Sequence, residues 1–117
     1  IFSTALPPAT LAASIEAIKI IQDDAGLSTK PLENAKLFTR ILDLPEAQSA
    51  IVPLILGTND KAISASEVLA ANGFLVTAIR PPTVPENTAR LRFTFSALHE
   101  EEHVEKLCHV VREQGWA

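Results

Sequence analysis

The sequence lacks the features that would place it in several common protein classes. It has a single cysteine, so no disulfide can form within the chain, which favours a reducing compartment. No apolar run approaches the roughly 20 residues of a membrane-spanning helix, and residues 1–20 lack the basic start and apolar block of a signal peptide. We therefore expect a cytoplasmic protein without a membrane partner.

Methionine is absent, including at position 1. We therefore expect these residues to be a piece of a longer protein. The 117 residues suffice for one domain with a single core. Acidic residues outnumber basic ones, giving a net charge of −4, and this balance gives no reason to expect nucleic acid as a partner.

Two helices are expected in the first third of the chain. Pro8 suits the start of a helix, where a missing N–H costs nothing, and apolar residues follow at helical spacing as far as Asp23. Gly26 and the polar segment 28–30 interrupt this pattern. A second helix is expected to begin at Pro31, with its apolar residues on one side.

The remainder of the chain predicts three strands and two helices. The apolar run 50–56 has the length of a strand, and Pro53 places it at a sheet edge or a bulge. A helix capped by Asn59 or Asp60 should follow and end before Gly73. The other expected elements are strands at 74–80 and 90–96 and a last helix from about Glu100.

The second of these late strands alternates cleanly. In RLRFTFS, Leu91, Phe93 and Phe95 would face a core, while Arg90 and Arg92 would face away from it. With the element order ααβαββα, the third strand can insert between the other two. We predict an α/β protein of the α+β type, with a small, mostly antiparallel sheet and helices on one face.

Two sequence features invite a catalytic interpretation that their context opposes. The stretch His99–His103 reads HEEEH and matches the H-E-x-x-H motif of zinc peptidases. However, His99 directly follows a strand, and no third ligand approaches, so we expect an acid-rich helix start and no metal. Cys108 lies on the apolar stripe of the last helix, which indicates a buried, inert thiol.

Arginines are concentrated in residues 80–92, which contain three of the five in the chain and one acid, Glu86. Surface ion pairs with glutamates of the last helix would be one explanation. The prolines at 81, 82 and 85 favour a ligand site, because their fixed φ holds a loop in one shape. A planar guanidinium binds carboxylates through two parallel hydrogen bonds. The residues alone predict a site for a small anion.

The run GFLVTAIRPPTVPENTARLRFTFSALH (73–99) resembles the C-terminal domain of the α-oxoamine synthases, a family of fold-type-I pyridoxal-phosphate acyltransferases. The opening IFSTALPPA resembles the segment shortly after the lysine that holds the family's cofactor. The sequence RPPT at 80–83 favours the branch that condenses L-alanine with a pimeloyl thioester to 8-amino-7-oxononanoate in biotin biosynthesis. Asn87 stands where the family commonly has glycine, and asparagine tolerates the positive φ of such a turn.

The resemblance implies roles for five residues. Arg92 would bind the α-carboxylate of alanine, Thr83 would contact the acyl thioester, and Arg80 would meet the distal carboxylate of the pimeloyl chain. Ser3 and Thr4 would reach the phosphate of pyridoxal 5'-phosphate bound by the partner subunit of a homodimer. No catalytic residue is expected in this segment, because the cofactor-binding lysine lies upstream, so these residues alone should be inactive.

The resemblance also divides the chain into two parts. Residues 1–24 would be a junction segment with a long linking helix, and residues 25–117 the small C-terminal αβ domain. Whether the acyl donor is a coenzyme A or an acyl-carrier-protein thioester stays open. So do two alternative functions: a relative of the 2-amino-3-ketobutyrate ligase or 5-aminolevulinate synthase type, and a free-standing regulatory module that binds a carboxylate through the same arginines.

Overall fold

The computed structural model describes residues 4–117, and its elements follow the predicted order ααβαββα. The described residues form four helices and three strands: α1 (Pro8–Asp23), α2 (Gly26–Ile41), β1 (Ile51–Gly57), α3 (Asn59–Ala71), β2 (Thr77–Ile79), β3 (Ala89–Thr94) and α4 (Glu101–Glu113). Among these residues no helix has both the length and the apolar character needed to cross a membrane.

The three strands form one antiparallel sheet in the order β1-β3-β2. The last strand in the chain therefore inserts between the first two, as predicted. Pro53 lies in the edge strand β1, where its missing N–H removes no bond that a central strand would need. The register of β1 against β3 shifts between Ile55 and Gly57, so this strand is both an edge strand and irregular.

One face of the sheet carries the core. Ala89, Leu91 and Phe93 of β3 are buried, and α2, α3 and α4 supply the apolar residues that pack against this side. The ring of Phe38 in α2 lies 4.7 Å from that of Phe93 and 5.3 Å from that of Phe95, measured between centroids. The prediction of helices on a single face is confirmed.

Helix α1 forms where the sequence predicted it but contributes no residue to this core. Its apolar side chains are all at least half exposed or close to it: Leu11, Ile15, Ile18, Ile20 and Ile21. Burial of apolar area is the main force that holds a helix in place. Within residues 4–117, no other element buries the apolar side chains of α1.

Helix α2 begins at Gly26, so the prediction of a start at Pro31 was wrong. The backbone N–H groups of Ser28 and Thr29 both donate to the carbonyl of Ala25, at 3.2 and 3.3 Å, and both hydroxyls donate to the same oxygen. These bonds stabilise the first turn. Pro31 then removes a single N–H near the helix start, which costs less than a break in the middle.

Strand β2 is shorter than the predicted stretch 74–80, because residues of α3 form hydrogen bonds with the backbone just before it. The hydroxyl of Ser66 donates to the carbonyl of Val76 at 2.6 Å, and the N–H of Phe74 donates to the carbonyl of Leu69 at 2.9 Å. These groups are therefore withdrawn from sheet pairing. Pairing with β3 starts one residue later, at Thr77.

Helix α3 has the predicted ends, with a shift of one residue at its cap. The hydroxyl of Thr58 accepts the N–H of Lys61 at 3.4 Å, so Thr58 is the N-cap in place of the expected Asn59 or Asp60. Gly73 follows the helix with a φ of +86°. That is the left-handed conformation expected of a residue that ends a helix.

Candidate functional site

Two of the clustered arginines project from the sheet face that no helix covers. Arg90 and Arg92 alternate in β3 with the buried Leu91 and Phe93, so their side chains leave the sheet on the opposite side, as the sequence predicted. Arg80 is exposed and directly follows β2. The fold therefore places the three arginines on two adjacent strands and at the start of the loop that joins them.

Ion pairing does not account for this cluster. The ion pairs within residues 4–117 join Lys19 to Glu16, Lys36 to Glu46 and Lys106 to Glu102, and Nε2 of His109 lies 3.2 Å from a carboxylate oxygen of Glu113; none of these contacts includes an arginine. The explanation by salt bridges to the glutamates of α4 was therefore wrong. For example, Oε1 of Glu102 lies 2.7 Å from Nζ of Lys106 on the same helix.

The two arginines of β3 have different surroundings. Arg90 is partly buried and lies between Ile55 and Ile79 of the neighbouring strands, and its Nε donates to the carbonyl of Thr88 at 3.0 Å. Arg92 is exposed, and its side chain makes no hydrogen bond within residues 4–117. Arg92 thus keeps its full donor capacity for a ligand, whereas Arg90 is already held.

The loop 80–88, which joins β2 to β3, is fixed by short-range hydrogen bonds. The N–H of Thr83 donates to the carbonyl of Arg80 at 3.1 Å, which places these two predicted ligand residues in one turn. Thr88 donates to the carbonyl of Pro85 twice, through its N–H at 3.2 Å and its hydroxyl at 2.7 Å. Asn87 has a φ of +59°, as predicted for a residue in the place of a glycine.

The predicted cofactor contacts lie at the other end of the chain. Ser3 falls outside the described residues. Thr4 is exposed and precedes α1, and its hydroxyl has no partner within residues 4–117. A free hydroxyl at this position has the chemistry to donate to a phosphate oxygen, and its role stays a prediction.

The histidine motif is a helix start whose geometry opposes zinc binding. Nδ1 of His99 accepts the N–H of Ser96 at 3.1 Å, and Nδ1 of His103 accepts the N–H of Glu100 at 3.3 Å. A neutral imidazole that accepts at Nδ1 carries its proton on Nε2, so neither nitrogen has a lone pair left for a metal. No group of three or more candidate metal ligands exists among the described residues.

The sequence reasoning missed the structural use of His103. Glu100 and His103 form a capping box at the start of α4, in which His103 takes the place usually filled by glutamate or glutamine. The spacing of three residues, directly before an apolar periodic stretch, was the signal that could have revealed it. The predicted burial of Cys108 is confirmed, and burial raises the pKa of its thiol to about 11.

Sequence reasoning also missed an apolar cleft of about 300 Å³ between the segment before β2, the end of β3 and α4. Phe74, Phe93 and Val104 line it, and His99 and His103 border it. The cleft lies beside residues 73–76, which precede β2 and do not pair with β3. Within this segment the carbonyl of Val76 accepts the hydroxyl of Ser66, a contact that the pattern of strand residues could not reveal.

Comparison with known proteins places this geometry in a family. Residues 1–111 match the family Aminotransferase class I and II. The chain is 53% identical over 112 residues to 8-amino-7-oxononanoate synthase of Granulibacter bethesdensis, an alignment that covers 96% of this chain and 29% of that protein. The chain thus spans less than a third of the length of this relative.

The fold is shared with solved structures, of which two serve as examples. Serine palmitoyltransferase from S. paucimobilis, in a structure with bound pyridoxal phosphate and myriocin, has a TM-score of 0.82 at 25% identity, covering 98% of this chain and 31% of that one. An 8-amino-7-oxononanoate synthase from Francisella tularensis has a TM-score of 0.79 at 22% identity, covering 98% of this chain and 35% of that one. The chain belongs to the aminotransferase class I and II family.

Proposed function

We propose that this chain is the C-terminal part of a pyridoxal-phosphate-dependent acyltransferase that condenses L-alanine with a pimeloyl thioester in biotin biosynthesis. The products are 8-amino-7-oxononanoate, CO₂ and the free thiol of coenzyme A or acyl carrier protein. The observation that carries the proposal is Arg92, an exposed arginine in the central strand with no partner within residues 4–117. The 53% identity to the Granulibacter synthase supports this choice of substrates.

Arg92 would bind the carboxylate of alanine. Its terminal nitrogens present two parallel N–H donors, which match the two oxygens of a carboxylate. Binding through both fixes the orientation of the bonds around the α-carbon of alanine, and so selects which of them reacts. Pyridoxal phosphate, when bound, supplies the electron sink for the electron pair left on that carbon.

Arg80 and Thr83 would bind the second substrate. The turn bond between them holds both at the start of the loop after β2, and both are exposed. Arg80 would pair with the distal carboxylate of the pimeloyl chain, and the hydroxyl of Thr83 would contact the thioester end. One substrate would thus meet an arginine of the sheet and the other an arginine of the loop.

Ser3 and Thr4 would contribute to cofactor binding in a homodimer of the complete, cytoplasmic protein. A hydroxyl suits a phosphate oxygen, and the hydroxyl of Thr4 is free for it within the described part of the chain. None of the five lysines of this chain is proposed to hold the cofactor. Three of them, Lys19, Lys36 and Lys106, are engaged in ion pairs with glutamates.

The chain would divide near residue 25. Residues 25–117 contain every buried apolar residue in the described part of the chain, which supports a small domain with its own core. Residues 1–24 would form the junction and the linking helix. The exposed isoleucines of α1 would then be covered by parts of the complete protein that lie outside these residues, because an apolar stripe of that length is costly to leave in water.

The substitution Arg92→Lys in the full-length protein tests the proposal. Lysine keeps the charge but loses the two-pronged geometry. A charge-assisted hydrogen bond is worth about 1.5–3 kcal/mol, so kcat/KM for alanine should fall roughly 10- to 100-fold. Steady-state kinetics with alanine as the varied substrate measures this.

Arg90→Lys is the matched control, since Arg90 lies two residues away on the same face and its Nε is bound to a backbone carbonyl. It should leave the kinetic constants for alanine unchanged. Equal losses in both variants, or no loss in Arg92→Lys, would show that Arg92 does not bind the carboxylate.

A further inference from the structure

Arg92 has a neighbour in the sheet that Arg90 lacks. In the register of the three strands, Arg92 lies directly opposite Pro53 on one side and Thr77 on the other. Arg90 lies between Ile55 and Ile79. Of the two arginines, only Arg92 therefore has a directly opposite side chain that can form a hydrogen bond with its guanidinium.

The two arginines also differ in what holds the Nε atom. In Arg90, Nε donates to the carbonyl of Thr88, which fixes the direction of that side chain. Nε of Arg92 has no acceptor within residues 4–117, and the hydroxyl of Thr77 likewise has no partner there. Both groups are exposed on the same face, and residues directly opposite in a sheet have Cβ atoms about 4.5–5.5 Å apart.

We propose that Thr77 is a positioning residue for Arg92: its hydroxyl accepts the Nε–H of Arg92 when the amino acid binds. The inference rests on the proposed function of Arg92 as the carboxylate-binding residue. Nε is three bonds beyond Cβ of the arginine, so it can reach a hydroxyl on the directly opposite residue. The two terminal nitrogens then stay free and point together at the carboxylate.

Among the residues next to Arg92 in the sheet, Thr77 has the side chain best placed to accept this hydrogen bond. Pro53, on the other flank of Arg92, offers no side-chain acceptor. Thr94 lies on the same face but two residues along β3, opposite Ile51, a separation of roughly 6.6–6.8 Å along the strand compared with about 4.5–5.5 Å between directly opposite Cβ atoms. Thr94 therefore provides a matched control, with the same side chain exposed on the same face of the sheet.

The test uses the full-length protein with Thr77→Val, Thr77→Ser and Thr94→Val. Valine keeps the shape and the β-branching of threonine and removes only the hydroxyl. A typical hydrogen bond is worth about 0.5–1.5 kcal/mol, so Thr77→Val should weaken alanine binding roughly 3- to 10-fold. The dissociation constant from calorimetry and KM should rise together, with kcat little changed, and Thr77→Ser should restore both. Thr94→Val should bind alanine normally.

A double variant separates this inference from the proposal on which it rests. If Thr77 acts only by orienting Arg92, Thr77→Val should add nothing in an Arg92→Lys background, where there is no Nε–H to hold. An additional loss there would mean that Thr77 contacts alanine directly, and the positioning role would be wrong. Normal binding by Thr77→Val alongside a loss in Arg92→Lys would overturn this inference alone, whereas a silent Arg92→Lys would overturn the proposed site itself.

Discussion

The two faces of the small sheet differ in nearly every property, although they are made by the same three strands. On the inner face, Leu54, Leu91 and Phe93 are buried against three helices. On the outer face, Arg92, Thr77, Ile51 and Ile55 are exposed in the described structure. The inner face supplies the free energy of folding. The outer face retains polar groups whose donors are unused, which is the state expected of a surface built for a ligand.

The contrast predicts a large loss of stability from the inner face alone. Phe93 is 2% exposed and packs against Phe38, so Phe93→Ala should lower the free energy of unfolding by about 3–5 kcal/mol. The adjacent Thr94→Val, on the outer face, should change it by less than about 0.5 kcal/mol. Urea denaturation of the 117-residue chain followed by circular dichroism measures both. Similar losses in the two variants would mean that the outer face is also part of a packed core.

The inner layer should also suppress the reactivity of Cys108. Burial disfavours the charged thiolate and raises the pKa of this thiol from 9.0 to about 11, so the thiolate fraction at pH 8 should fall roughly 100-fold relative to the unfolded chain. Alkylation by iodoacetamide should be slower by at least that factor in the folded protein. Since the folded pKa is the higher one, stability should be intact below pH 9 and decline as the pH rises towards 11. Rapid labelling at pH 8 under native conditions would contradict the burial.

On the functional side, a smaller and selective effect is expected from Arg80→Ala. The proposed partner of Arg80 is a carboxylate at an exposed position, where solvent weakens the pairing. Discrimination between a pimeloyl thioester and a thioester of equal length ending in a methyl group should fall about 10-fold, while KM for alanine stays unchanged. Competition between the two thioesters gives this ratio directly. An equal loss for both acyl chains would assign Arg80 a structural role.

The faces themselves could be predicted from the sequence, because alternation in RLRFTFS depends only on the local geometry of a strand. The positive φ of Asn87 could also be predicted, because asparagine stands where glycine is expected and is one of the few other residues that tolerate this conformation. The start of α2 was missed because Ser28 and Thr29 act as helix-stabilising residues through the carbonyl of Ala25. When only the spacing of apolar residues is considered, such a polar segment looks like an interruption between two helices.

The position of Thr77 beside Arg92 could not be predicted in this way. It depends on the register between β2 and β3, and hence on the length and turns of the loop 80–88 and on where β2 begins. The beginning of β2 in turn depends on the hydrogen bond from Ser66 of α3 to Val76. Such a contact between distant parts of the chain leaves no local pattern in the sequence.

The alternation of β3 sets a rule for how this segment can change in length. Deleting one residue between 89 and 94 would shift the parity of everything beyond it, placing arginine towards the helices and phenylalanine towards the solvent. Substitutions can therefore alter one face at a time, but a deletion of a single codon damages both at once. In a library of random single-residue deletions, clones that still fold should almost never carry the deletion within β3.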